Sequence, residues 1–330
     1  MWWNMLCQLL LSIRWPSARR RRPTLPWRRL AFRPQLEALE TLVLPDAVSW
    51  ASQVNGDWAE TAKWTPHAPM PGDNVTIGYN VMVTHSGGAD AVSSLYLLAG
   101  TLAFTGGSLT TGTVLASGTL NLSGGSLIAA TVSGSGTLNL SGGTLFNAAV
   151  AVGTTLTGTT SGGTLNNVTL NGNLDLMTNN GARVSVSSSL TVNGTIFVGR
   201  ADGSTHGTVT LNDSASIGGT GAIRFGASAS NALIGGTISH SPTTSAALDL
   251  STNRGAQMTV TGAVTLAHDL QLNQSTVFIG DSGGTLAGQL LFQGNRQLNG
   301  SGTIVFSAFN STSNGNQLSG STLEIGRAHV

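Results

Sequence analysis

Charge is what this chain has least of. Charged side chains make up 9% of its 330 residues, against roughly 25% in an ordinary soluble domain. Lys63 is the single lysine, and Glu37, Glu40, Glu60 and Glu324 are the only glutamates. So few helix-favouring residues speak against a helical architecture. Cys7 is the only cysteine, which excludes an intrachain disulfide and leaves the redox compartment open. The apolar run Met5–Ile13 is nine residues long, and a bilayer span needs about 20. Aromatic residues thin out as well: all seven tryptophans lie at or before Trp64.

What fills the chain instead is Gly, Thr, Ser, Asn, Val and Leu, with 44 glycines. That is the composition of short strands and tight turns. An 18-residue phrase runs through part of it. Gly100-Thr-Leu-Ala-Phe-Thr-Gly-Gly-Ser-Leu109 returns as Gly118-Thr-Leu-Asn-Leu-Ser-Gly-Gly-Ser-Leu127 and again as Gly136-Thr-Leu-Asn-Leu-Ser-Gly-Gly-Thr-Leu145. A fixed period near 20 residues marks a solenoid whose repeats stack to bury one continuous core. In Thr119-Leu120-Asn121-Leu122 the alternation points Leu120 and Leu122 inward and Asn121 outward, with Asn139 in the same place one coil later. Leu127 and Val132 supply further inward positions, and Ser123-Gly124-Gly125 turns the chain.

The pattern then loosens. Gly194-Thr-Ile-Phe-Val198, Gly207-Thr-Val-Thr-Leu211 and Gly302-Thr-Ile-Val-Phe306 keep its form, and Gly221-Ala-Ile-Arg-Phe225 comes near it. The expected fold is all-β: a single-stranded parallel β-helix with coils of about 18–22 residues. A propeller needs blades of about 40 residues, and a sandwich has no reason to hold this phrase in register. Leu102, Phe104, Leu109 and Val114 do not keep a six-residue beat, which favours right-handed winding.

Four segments follow. Residues 1–45 hold eight arginines against Glu37 and Glu40 and read as a largely disordered basic leader for targeting. Residues 46–80 carry Trp50, Trp58 and Trp64 and read as an N-terminal cap, since the first coil of a solenoid would otherwise expose its core and strand edge. Residues 81–323 form the β-helix. Residues 324–330 are set apart by their ending. From residue 46 onward seven basic residues face twelve acidic ones, which argues against nucleic-acid binding by the repeats.

Three resemblances add to this. Arg28-Arg-Leu-Ala-Phe-Arg-Pro-Gln-Leu-Glu-Ala-Leu-Glu40 resembles the leaders of large extracytoplasmic proteins of planctomycete bacteria, which implies export. It departs from them at Thr41-Leu42, where an acidic residue and an arginine are common. The opening with Gly56-Asp57-Trp58, Trp64 and Pro71-Gly72-Asp73 is similar to that of autotransporter-like and haemagglutinin-like surface proteins. The ending Glu324-Ile-Gly-Arg-Ala-His-Val330 resembles the translation of a sequencing adapter, which implies a fragment of a longer chain.

Candidate chemistry is sparse. Trp50, Trp58 and Trp64 read first as cap packing and second as a glycan-stacking patch. Asp202, His206 and Asp213, near Arg200, form the densest cluster of ionisable residues and read as a surface loop before a site. Gly280-Asp281-Ser282-Gly283-Gly284 matches a serine-protease phrase, but no matching histidine phrase precedes it, so it reads as a turn. His85, His240 and His268 stand isolated, with no zinc spacing. No catalytic residue, metal or cofactor is expected. The expected protein is a non-enzymatic, exported, adhesin-like structural segment at the cell surface or secreted, with extracellular glycans or surface proteins as partners. The alternatives are a polysaccharide lyase or hydrolase, which would need clustered carboxylates, and a decayed reading frame.

Overall fold

The computed structural model describes residues 46–212, 214–238, 248–307 and 315–325, all within one compact unit, Leu44–Val330. The leader over 1–45 and the last five residues of the chain lie outside the described residues. The unit is a parallel β-helix whose coil has three strand-bearing faces. One coil runs Thr119–Leu122 on the first face, Ser126–Ile128 on the second and Thr131–Ser133 on the third. The next runs Thr137–Leu140, Thr144–Phe146 and Ala149–Val150. Among the described residues, ten strands of the first face, from Gly56–Asp57 to Leu248–Asp249, make one parallel sheet. The second and third faces share a 21-stranded sheet, because segments such as Ser108–Ala116 and Gln257–Leu266 turn the corner without a break.

The register is the one the alternating pattern requires. Thr119, Leu120, Asn121 and Leu122 pair with Thr137, Leu138, Asn139 and Leu140 in that order. The inward ladder Leu102, Leu120, Leu138, Leu156, Leu174, Ile196, Ile223 and Leu248 therefore runs unbroken along the first face. Every member is buried. A one-residue slip would send this whole set to solvent, so burial fixes the pairing. Outside, Asn139 donates its amide to Asn121 at 2.7 Å. Asn167 does the same to Asn147 at 2.8 Å, and Asn193 to Asn171 at 2.8 Å.

The glycine that opens the phrase has a steric reason. A Cβ at Gly118, Gly136, Gly194 or Gly221 would sit inside contact distance of a backbone carbonyl in the neighbouring coil. Only glycine lets the backbones stack so closely at that corner. The phrase also serves two faces. Gly118, Gly136, Gly194 and Gly221 precede first-face strands, whereas Gly207–Leu211 and Gly302–Phe306 lie on the second face.

Coil length changes along the rod. Equivalent residues are 18 apart at Asn121 and Asn139 and 22 apart at Asn173 and Thr195. They are 27 apart at Asn193 and Thr220, and 25 apart at Arg224 and Asp249. The coils thus grow past the expected 18–22 residues. The strands stay in register while the corner after the first face takes up residues, as in the loop from Gly199 to His206 between Thr195–Val198 and Gly207–Leu211.

At the N-terminal end, Ala47–Trp50 pairs in parallel with Asn74–Ile77 on one side and antiparallel with Trp64–Thr65 on the other. The early strand therefore offers no bare edge on that side. Trp64 meets Trp50 and Trp58 edge-on, each with centroids 4.9 Å apart. Its indole N–H donates to the Trp58 carbonyl at 2.8 Å. Within the segment expected to be a cap, Asn74–Ile77 is already a regular strand of the third face, paired with Ser94–Leu97.

Candidate functional site

The structure overturns the glycan reading of the tryptophans. Trp50, Trp58 and Trp64 are 1%, 4% and 5% exposed, so none offers a ring face on which a sugar could stack. Their rings pack on one another instead. His85 extends this aromatic column. It is fully buried, stacked on Phe104 at 5.0 Å, with the Gly106 carbonyl and the Asp90 carboxylate 3.0 and 2.9 Å from its ring nitrogens.

Asp202 and His206 lie in one corner loop, and the Asp202 carboxylate serves that loop's backbone. The Asp202 carboxylate accepts from the Ser204 N–H at 2.9 Å and the Ser204 hydroxyl at 2.7 Å. Those bonds hold its pKa below the ordinary carboxylate value. The His206 N–H donates to Asn180 at 3.1 Å. Asp213, the third member of the sequence cluster, lies outside the described residues, as does His240. Among the described residues no three His, Cys, Asp or Glu side chains are grouped as a metal would need. Asp281 of the protease-like phrase caps its own turn, accepting from the N–H groups of Thr285 and Leu286 at 2.8 and 2.6 Å. Its pKa is lowered by these bonds.

Sequence reasoning missed a stripe on the first face. Asp175 pairs with Phe197, Phe197 with Arg224, and Arg224 with Asp249. Inward leucine, isoleucine, valine and phenylalanine flank each of them, so all four occupy outward positions on consecutive coils. With strands about 4.8 Å apart, the stripe is about 14 Å long from Asp175 to Asp249. Earlier coils hold Ala103, Asn121, Asn139 and Thr157 in this row. The signal lay in the sequence: the outward slot of the phrase holds Asn in Thr119–Leu122 and Thr137–Leu140 but Phe and Arg in Thr195–Val198 and Ala222–Phe225.

A second, longer-range repeat builds the wall beside this stripe. Leu174-Asp-Leu-Met-Thr-Asn-Asn-Gly-Ala182 returns as Leu248-Asp-Leu-Ser-Thr-Asn-Arg-Gly-Ala256. Each copy makes the same corner. The aspartate accepts from backbone N–H groups two and three residues on: Met177 and Thr178 in one copy, Ser251 and Thr252 in the other. The asparagine four residues on donates to a carbonyl of a neighbouring coil, Asn179 to Gly158 at 2.8 Å and Asn253 to Phe225 at 2.7 Å. Gly181 and Gly255 turn the chain at φ +76° and +73°. Asp249 also accepts from Arg224 Nε at 3.1 Å. Burial pushes the Asp249 carboxyl up, but hydrogen bonds from Thr252 and Ser251 outweigh it and leave the pKa lowered.

One recess lies beside the stripe and another at its Arg224–Asp249 end. The first, of about 390 Å³, is lined by Met177, Thr178, Arg200, Ala201 and Asp202. The other, of about 270 Å³, includes Arg224, Asp249, Ser251, Thr252 and Gln271. Their sizes fall near the lower limit for small-molecule pockets. The arrangement is an outward row of mixed charge with one aromatic side chain, Phe197, and two small separate recesses near it. The two stripe carboxylates stand farther apart than the roughly 5–10 Å of a glycosidase pair. These features define a parallel β-helix with a local row of charged and aromatic side chains on one face. Compared with known protein families, with characterised proteins and with solved structures, the chain has no significant match.

Proposed function

We propose that this chain is an exported, non-enzymatic structural segment at the cell surface or in the secreted fraction, a β-helical stalk with adhesin-like contact surfaces. One observation carries the reading: asparagine side chains on the outside bond from coil to coil along the rod, as at Asn121–Asn139, Asn147–Asn167 and Asn171–Asn193. Such rows stiffen a solenoid and leave it a flat, hydrated exterior. The carboxylates of Asp175, Asp202, Asp249 and Asp281 support it further, because each holds its own loop. Export rests on the leader resemblance. Among the described residues no helix is long and apolar enough to cross a membrane. Cell fractionation combined with protease shaving of intact cells tests the proposal. Recovery of the protein at the surface or in the medium is the expected result, and confinement to the cytosol would end it.

A further inference from the structure

We infer that the stripe Asp175–Phe197–Arg224–Asp249 is a binding groove for a neutral, hydroxyl-rich polysaccharide strand lying along the rod axis. Four independent features converge there. Phe197 is half-buried and outward, with Asp175 and Arg224 as its neighbours on either side. That is the setting in which an aromatic ring stacks on the C–H face of a sugar. Arg224 contacts Asp249 through Nε at 3.1 Å, and Arg200 contacts the Met177 carbonyl through Nε at 3.4 Å. Both leave the terminal guanidinium donors for a ligand. The carboxylates of Asp175 and Asp202, although bonded to their loops, retain acceptor capacity, since an ionised carboxylate has about four acceptor positions, whereas Asp249 is filled by Ser251, Thr252 and Arg224 and serves to orient that arginine. The recess at Arg200 lies beside the stripe and the one at Arg224 and Asp249 lies at its end, and both would take sugar substituents that project from the strand.

Charge selects the class of ligand. Asp175, Asp202 and Asp249 stand against Arg200, Arg224 and Arg254 here, so the stripe and its corner loops have no positive surplus to hold a polyanion. Acidic glycans and nucleic acids are thereby disfavoured, and paired donors and acceptors suit sugar hydroxyls. The parallel register supplies the axis: equivalent outward slots recur every ~4.8 Å, which presents the stripe as a line. The corner loops at 177–181, 199–206 and 251–255 stand on one side of that line. This assignment does not depend on where the protein resides in the cell. It is tested on the purified full chain, so it can fail or stand apart from the export proposal.

The experiment is affinity gel electrophoresis of the full chain through gels containing laminarin, barley β-glucan, mannan, starch or polygalacturonate, followed by titration calorimetry with any polymer that retards it. Retardation by at least one neutral polymer is expected, with none by polygalacturonate. Phe197→Ala should then weaken binding by about tenfold, and Arg200→Gln by a smaller factor. Thr169→Ala, on the third face, should bind as the parent does. Circular dichroism and melting curves identify any variant that fails to fold, and Phe197→Thr, which restores the residue type of Thr157, serves as the milder replacement. The inference is overturned if no neutral polymer retards the chain, if polygalacturonate or single-stranded DNA binds more tightly, or if folded Phe197 variants bind unchanged.

Discussion

The coils from Gly100 to Leu170 and those from Asn173 to Leu266 share one backbone plan and differ in almost everything placed on it. The first group belongs to a stretch, residues 91–174, without a single Asp, Glu, Lys, Arg or His. Its first-face coils keep an 18-residue beat. The second group begins at Asp175, lengthens to 22, 27 and 25 residues, and carries the arginines, the capping aspartates and both recesses near the stripe. Corner loops account for the extra length. The comparison separates two tasks. Inward leucine ladders and stacked glycines hold the coil everywhere, while chemistry enters only where a corner is long enough to stand beside a face.

The comparison can be broken at its core first. Leu138→Ala removes one rung of the buried first-face ladder and should cost about 3 kcal/mol in chemical denaturation. A loss below about 1 kcal/mol would mean that the ladder is not a continuous core. Gly136→Ala should come next, at about 2 kcal/mol, because its Cβ meets neighbouring-coil backbone. Gly78→Ala, which meets nothing within 4 Å, should change stability by less than about 0.5 kcal/mol. Equal melting shifts in the two variants would refute the close-approach account of the repeat's glycine.

Acid should sharpen the boundary between the groups. The Asp249 pKa is lowered in the fold. Its contribution is therefore complete above the unfolded value, about 3.9, and is lost as pH falls through the lower folded value. Asp202 and Asp281 shift in the same direction. Hydrogen exchange through this acid range should show amides near Ser251–Thr252 losing protection while those of 100–170 keep theirs. Uniform loss along the chain would contradict the division.

Two smaller effects probe the outward rows. Asn139→Ala removes the 2.7 Å bond to Asn121 and should cost about 1 kcal/mol. Ala129 sits at φ 59° at the corner where Asn147 and Asn167 have φ 51° and 53°. Ala129→Asn should gain about 0.5 kcal/mol, since asparagine tolerates this region better than alanine. A lower melting temperature for that variant would count against an asparagine preference at this corner.

Much of this was legible from the residues in order. The alternation in Thr119–Leu122 and Thr137–Leu140 places leucine inward and Asn outward, and the structure pairs them accordingly. The packing of Trp50, Trp58 and Trp64 on one another agrees with reading them first as packing residues, and their burial removes the glycan patch that the same residues suggested. The stripe was not legible. Asp175 and Asp249 are 74 positions apart, and coils of unequal length hide that Asp175, Phe197, Arg224 and Asp249 share one outward row.

By itself the sequence determined the strand period, the identity of the buried face and the need for glycine at a repeated corner. Each follows from local rules: two-residue alternation, the burial of leucine and the absence of a Cβ. Tertiary structure alone decided which outward residues become neighbours. Side chains on adjacent coils meet through parallel strand pairing, and that pairing counts coils, not residues, so loops of different length bring distant positions into one row.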